Sequence, residues 1–126
     1  MEISPGRAGT AGSERRTSTF TGEVWAAPVI PPREEVTINT VNFAPGARTY
    51  WHSHRDGQVL QVLAGEGRIA TRGSAPRKLR PGDTVWAPPG EEHWHGACDD
   101  MFMVHTAISL GPVRWQEEVA DEETGT

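Results

Sequence analysis

Five histidines fall between residues 52 and 105, at His52, His54, His93, His95 and His105. Imidazole nitrogens are common ligands of divalent transition metals and exchange protons readily near neutral pH. In an extended chain, residues i and i+2 project to one side, so His52 and His54 present two rings together, as do His93 and His95. Gln58 follows His54 across the bend at Gly57 and offers a carboxamide oxygen. A single buried histidine is as readily a hydrogen-bonded core residue as a ligand. The joint placement of His52, His54 and His93 beside turn glycines points instead to a metal centre.

Pairs of this kind need strands to hold them. From residue 20 to 116, apolar and polar side chains alternate with a period of two, broken by turn signals at short intervals. The pattern predicts strands over 20–25, 36–43, 48–54, 58–64, 68–72, 77–79, 84–87, 93–96 and 101–110, roughly nine or ten in all. Pro28, Pro31 and Pro32 forbid a central strand and predict a linker or an edge. In 36–43, Asn39, Val41 and Phe43 share a face. In 101–110, His105 shares a face with Met101, Met103, Ala107 and Ser109, opposite an apolar face of Phe102, Val104, Thr106, Ile108 and Leu110. If the apolar face is covered, the His105 and Ser109 face lines a pocket, and Asn39, Val41 and Phe43 would tune substrate fit. So many short antiparallel strands hide their edges most economically in a closed, jelly-roll-like all-β barrel. Residues 1–19 read as a flexible arm, 20–119 as the barrel and 120–126 as an acidic, solvated tail.

The chain has 126 residues, with 12 Lys+Arg against 17 Asp+Glu and a net charge of −5. That fits one small domain and disfavours a nucleic-acid partner. No apolar run is long enough for a membrane span or a secretory signal, so a cytoplasmic location is expected. The single cysteine, Cys98, cannot form an intrachain disulfide. Trp51, Trp86 and Trp94 read as packing or interface groups. Trp25, Phe102 and Leu110 on outer faces predict a homodimer or higher homo-oligomer.

The two histidine segments resemble the motifs of the cupin superfamily. The pattern G(X)5HXH(X)3-4E(X)6G is matched by Gly46, His52, His54, Gln58 and Gly65. The pattern G(X)5PXG(X)2H(X)3N is matched by Gly82, Pro88, Gly90 and His93, with Ala97 in place of Asn. This resemblance implies a small β-barrel holding one metal ion on His52, His54, Gln58 and His93. Gln58 stands where the family usually has Glu. A carboxamide leaves a divalent ion among neutral ligands, which favours Lewis-acid chemistry over redox cycling.

The wider segments FAPGARTYWHSHRDGQ, GDTVWAPPGEEHWHGA and MVHTAI look like the manganese-dependent cupin hydroxynitrile lyases. That resemblance implies Mn2+, with Fe2+, Ni2+ and Zn2+ as alternatives, and a small cyanohydrin or aldehyde as substrate. It also implies that His105 is an acid–base residue. His95, facing the same way as His93, reads as a second base or a supporting partner. Two further readings keep the same ligands: an iron-dependent dioxygenase, and a metal-containing barrel that binds a small ligand without turnover.

Overall fold

The computed structural model describes residues 1–5 and 12–125. It contains thirteen strands: β1 (Glu14–Arg15), β2 (Phe20–Thr21), β3 (Val24–Arg33), β4 (Val36–Phe43), β5 (Arg48–Thr49), β6 (His52–His54), β7 (Gln58–Gly65), β8 (Gly67–Thr71), β9 (Arg77–Leu79), β10 (Thr84–Ala87), β11 (His93–Ala97), β12 (Met103–Leu110) and β13 (Val113–Trp115). A 3-10 turn over Asp121–Thr124 follows. One sheet has the order β1-β3-β4-β12-β7-β10. In the other, β11 is central. β8 and then β9 lie to one side, while β5 and β6, two halves of one broken strand, lie to the other and carry β2 and β13.

The alternation expected from the sequence sets the inner faces. Met103, His105 and Ala107 of β12 are buried, as are Gln58, Leu60 and Val62 of β7 and Val41 and Phe43 of β4. Removing these apolar side chains from water is the main stabilising contribution. A smaller cluster of Trp51, Ala70, Trp94 and Val119 packs separately, with the Arg72 guanidinium 4.0 Å from the Trp51 ring centroid. Trp25, Trp86, Met101 and Phe102 are exposed and Leu110 is half-buried.

The closed barrel expected from the sequence is corrected to two facing sheets in a half-barrel arrangement. No ladder joins them among the described residues. β1, β2 and β13, at the edges, are only two or three residues long, so backbone pairing stops before the edges meet. The proline group proves to be part of β3. This strand pairs with β4 along its length but with β1 only at Trp25 and Ala26, and its register shifts between Pro28 and Ile30 and between Ile30 and Arg33. Prolines are tolerated there because the far edge needs no donors.

Residues 6–11 of the expected arm lie outside the described residues. Beyond them the chain is docked at both ends: Glu14–Arg15 pairs with β3, and Phe20–Thr21 pairs with β5. Residue 126 also lies outside the described residues. The side chains of Asp121, Glu122 and Glu123 before it are exposed, while the segment's backbone is held by two buried arginines. Arg48 Nη2 donates to the Val119 carbonyl at 3.0 Å and to Asp121 at 2.7 Å, and Arg68 Nη1 donates to the Thr124 carbonyl at 2.9 Å. No helix among the described residues is long and apolar enough to cross a membrane.

Gly65 and Gly73 both adopt left-handed backbone, with φ of 78° and 76°. A Cβ on Gly65 would lie 1.9 Å from the Phe102 carbonyl oxygen, whereas one on Gly73 meets nothing within 4 Å. Gly65→Ala is therefore expected to cost roughly 3 kcal/mol or more and Gly73→Ala about 1 kcal/mol in urea unfolding. Equal costs would contradict this packing.

Candidate metal centre

His52 on β6 and His93 on β11 are cross-strand partners, and their ring centroids are 4.4 Å apart. Both strands are buried throughout, because β6 lies between β11 and β13 while β11 lies between β8 and the broken strand. The His52 Nδ1–H donates to the Tyr50 carbonyl at 2.9 Å, and the His93 Nδ1–H donates to the Glu91 carbonyl at 3.0 Å. Each ring is thereby fixed in the tautomer that leaves a lone pair on Nε2.

Ring nitrogens of His52, His93 and His95 all lie within 4.8 Å of one another. His54 stands just outside this group. Its centroid is 5.1 Å from that of His52 and 6.0 Å from that of His93. Both His54 nitrogens are buried without a hydrogen-bond partner among the described residues.

Gln58 Oε1 is 2.9 Å from His93 Nε2, while Gln58 Nε2–H donates to Ser109 Oγ at 3.0 Å. With its proton on Nδ1, His93 turns a lone pair toward the carboxamide oxygen, so two acceptors face each other. Protonating the ring would relieve this, but burial holds the His93 pKa below its ordinary 6.5. A cation bound by both atoms satisfies them without a proton. The donor set of neutral imidazoles and an amide oxygen thus fits a divalent transition ion.

The other rings behave alike. Burial first, and the neighbouring His93 second, pushes His54 down to about 4; burial pushes His105 down to about 4. His52 and His95 are pushed well below 6.5 by burial and then by adjacent imidazoles. His105 and His95 form a pair, with His105 Nε2 2.9 Å from His95 Nδ1. The opposite nitrogens, His105 Nδ1 and His95 Nε2, are buried without hydrogen-bond partners among the described residues. Phe43 meets both rings edge-on at 5.1 and 6.0 Å, and Thr49 Oγ1 accepts the His95 backbone N–H.

Between the sheets lies a cavity of about 620 Å³, a size suited to a small organic ligand. His54, Gln58, His95 and His105 reach its wall, and Asn39, Val41, Phe43 and Ser109 line it. Trp115, part of the carboxyl-terminal segment that adds to the family resemblance, was not foreseen as a neighbour of the nest, yet its ring centroid is 4.7 Å from that of His52; nor were residues 15–20, which form another part of the wall. A three-residue strand such as β13 has too little periodicity to reveal its neighbour. The tryptophan itself was the available signal.

The lowered histidine values fix a pH dependence. An unfolded chain takes up protons on these rings near pH 6.5, whereas in the folded chain His54 and His105 resist them until about 4. The unfolded state then binds more protons across that window, so stability is lost as pH falls through it. Thermal unfolding of the metal-free protein is expected to show full stability above about pH 6.5 and a declining midpoint toward pH 4. A flat midpoint across this range would contradict the buried, neutral arrangement.

The cupin domain family matches residues 39–108. The (R)-mandelonitrile lyase of Granulicella tundricola is 44% identical over 110 residues, covering 82% of this chain and 84% of that protein. A solved cupin-like protein of Thermotoga maritima superposes with a TM-score of 0.83 at 41% identity, covering 87% of this chain and 89% of the other. The polyketide cyclase RemF of Streptomyces resistomycificus, at 15% identity and a TM-score of 0.76 over 98% of this chain and 91% of its own, shares the fold alone. The paired histidine motifs, the facing sheets and these relationships together establish that the chain belongs to the cupin family and is related to its mandelonitrile-lyase-like members.

Proposed function

We propose that the protein is a metal-dependent carbon–carbon lyase of the hydroxynitrile-lyase type, cleaving a small cyanohydrin to an aldehyde and hydrogen cyanide and joining them in reverse. The observation that carries this reading is the His95–His105 pair, whose two outer nitrogens are buried and have no hydrogen-bond partner among the described residues, beside a neutral ligand set. The 44% identity to an (R)-mandelonitrile lyase supports it.

A divalent ion, Mn2+ in this reading, held by His52, His54, Gln58 and His93 would supply the Lewis acidity that lowers the pKa of the cyanohydrin hydroxyl. His105 Nδ1 accepts the hydroxyl proton. The His105 Nε2–H passes to His95 Nδ1, and the His95 Nε2–H is given to the departing cyanide. The electron pair of the broken carbon–carbon bond leaves with cyanide, and the former O–H pair becomes the carbonyl bond. The histidine pair ends in the opposite tautomer, and neither ring stores a charge. This suits rings whose burial disfavours the imidazolium. Asn39, Val41, Phe43 and Ser109 shape the wall against which the substrate lies.

Manganese-loaded protein is expected to release cyanide from mandelonitrile equally with and without oxygen. His105→Ala is expected to lower kcat by roughly 100-fold or more while leaving the manganese content unchanged. Oxygen consumption tied to turnover, or full activity in His105→Ala, would contradict the assignment.

A further inference from the structure

Residues 16–19 cross the cavity between two anchors. On one side, β1 pairs with β3 through Glu14 opposite Ala26 and Arg15 opposite Trp25, and the Arg16 N–H extends the ladder to the Val24 carbonyl at 2.8 Å. On the other, Phe20 pairs with Thr49, and the Tyr50 N–H donates to the Thr19 carbonyl at 2.9 Å. Phe20 also meets Trp115 edge-on at 5.6 Å, and Trp115 lies against His52. This strap is therefore tied to the histidine nest at one end and to the edge of the opposite sheet at the other.

Apart from histidines, the ionisable residues of the cavity wall are Arg15, Arg16 and Glu35. Glu35 is already ion-paired with Arg55. Residues opposite one another in a ladder share a face. Arg15 thus follows Trp25, which is exposed, while Arg16 follows Val24, which is in the core. Arg16 is half-buried, and no carboxylate pairs with it among the described residues. Glu14 shares its face but is exposed and does not line the cavity.

The other polar groups of the wall, among them the imidazoles, the Gln58 amide, Asn39 and Ser109, are neutral. A chain of net charge −5 thus keeps the Arg16 guanidinium at its cavity without a carboxylate partner among the described residues. A guanidinium fork is matched by a carboxylate, which can accept two parallel N–H bonds.

We propose that Arg16 is a specificity-determining residue that binds a substrate carboxylate, so that the site prefers aldehydes or cyanohydrins carrying a carboxylate remote from the reacting carbon over their uncharged counterparts. The proposal rests on reading the cavity as the substrate site and names the substrate class it takes.

Calorimetric binding to manganese-loaded protein at low ionic strength tests it, using 4-formylbenzoate and its uncharged isostere 4-formylbenzamide as probes. The wild type is expected to bind the carboxylate about tenfold more tightly or better, and Arg16→Gln is expected to reduce that ratio to within about threefold. Equal affinities in the wild type, binding of neither probe, or a preference that persists in Arg16→Gln would overturn it, the last by showing that the metal or another group holds the carboxylate. Cyanide release from mandelonitrile, which has no carboxylate, tests the lyase reading separately, so the two can fail independently.

Discussion

Five imidazoles are buried against one another with the amide of Gln58 beside them, and this neutral nest constrains everything built around it. His52 and His93 have centroids 4.4 Å apart, His95 and His105 4.8 Å apart, and His93 and His95 5.6 Å apart. Protonating any of these rings would bury a charge away from water, which is why burial is the first cause that lowers each of them. Lone pairs consequently face lone pairs, most plainly between His93 Nε2 and Gln58 Oε1. A divalent cation satisfies such an arrangement without a buried carboxylate and keeps most of its charge for polarising a bound oxygen.

The fold meets this constraint with contacts between distant parts of the chain. β11 presents His93 and His95 to the nest and Trp94, fully buried, to the separate cluster with Trp51 and Val119. Gly96 lets the broken strand come close, since a Cβ there would lie 2.3 Å from the Ala47 carbonyl oxygen. That approach keeps Arg48 opposite Gly96 and His52 opposite His93. Arg68 then binds the Ala97 carbonyl and Asp99 while holding the carboxyl-terminal segment, so the same region that aligns the ligands anchors the end of the chain.

Much of this was legible because side-chain direction in a strand follows a period of two. β4 begins and ends where the alternation placed it, and the face shared by Met103, His105 and Ala107 is the buried one. Spacing could assign a face but not a distance between rings. It grouped His54 with His52, and gave no sign that ring nitrogens of His52, His93 and His95 lie within 4.8 Å of one another. Nor could alternation tell whether sheet edges meet, which is why a closed barrel was expected in place of two facing sheets. Thr17, Ser18 and Thr19 have the composition of a solvated linker, yet backbone bonds at either end hold them across the cavity. Arg48 and Arg68 look like surface residues in sequence because their partners are largely backbone carbonyls, and a carbonyl leaves no mark on residue type.

The histidine nest is proposed to hold a transition ion. Anomalous diffraction at the manganese edge, from crystals of protein loaded with one equivalent of Mn2+, tests it most directly. A single peak is expected within bonding distance of His52 Nε2 and His93 Nε2 and of the Gln58 amide oxygen. A peak confined to surface carboxylates, or no peak between the two sheets, would contradict it.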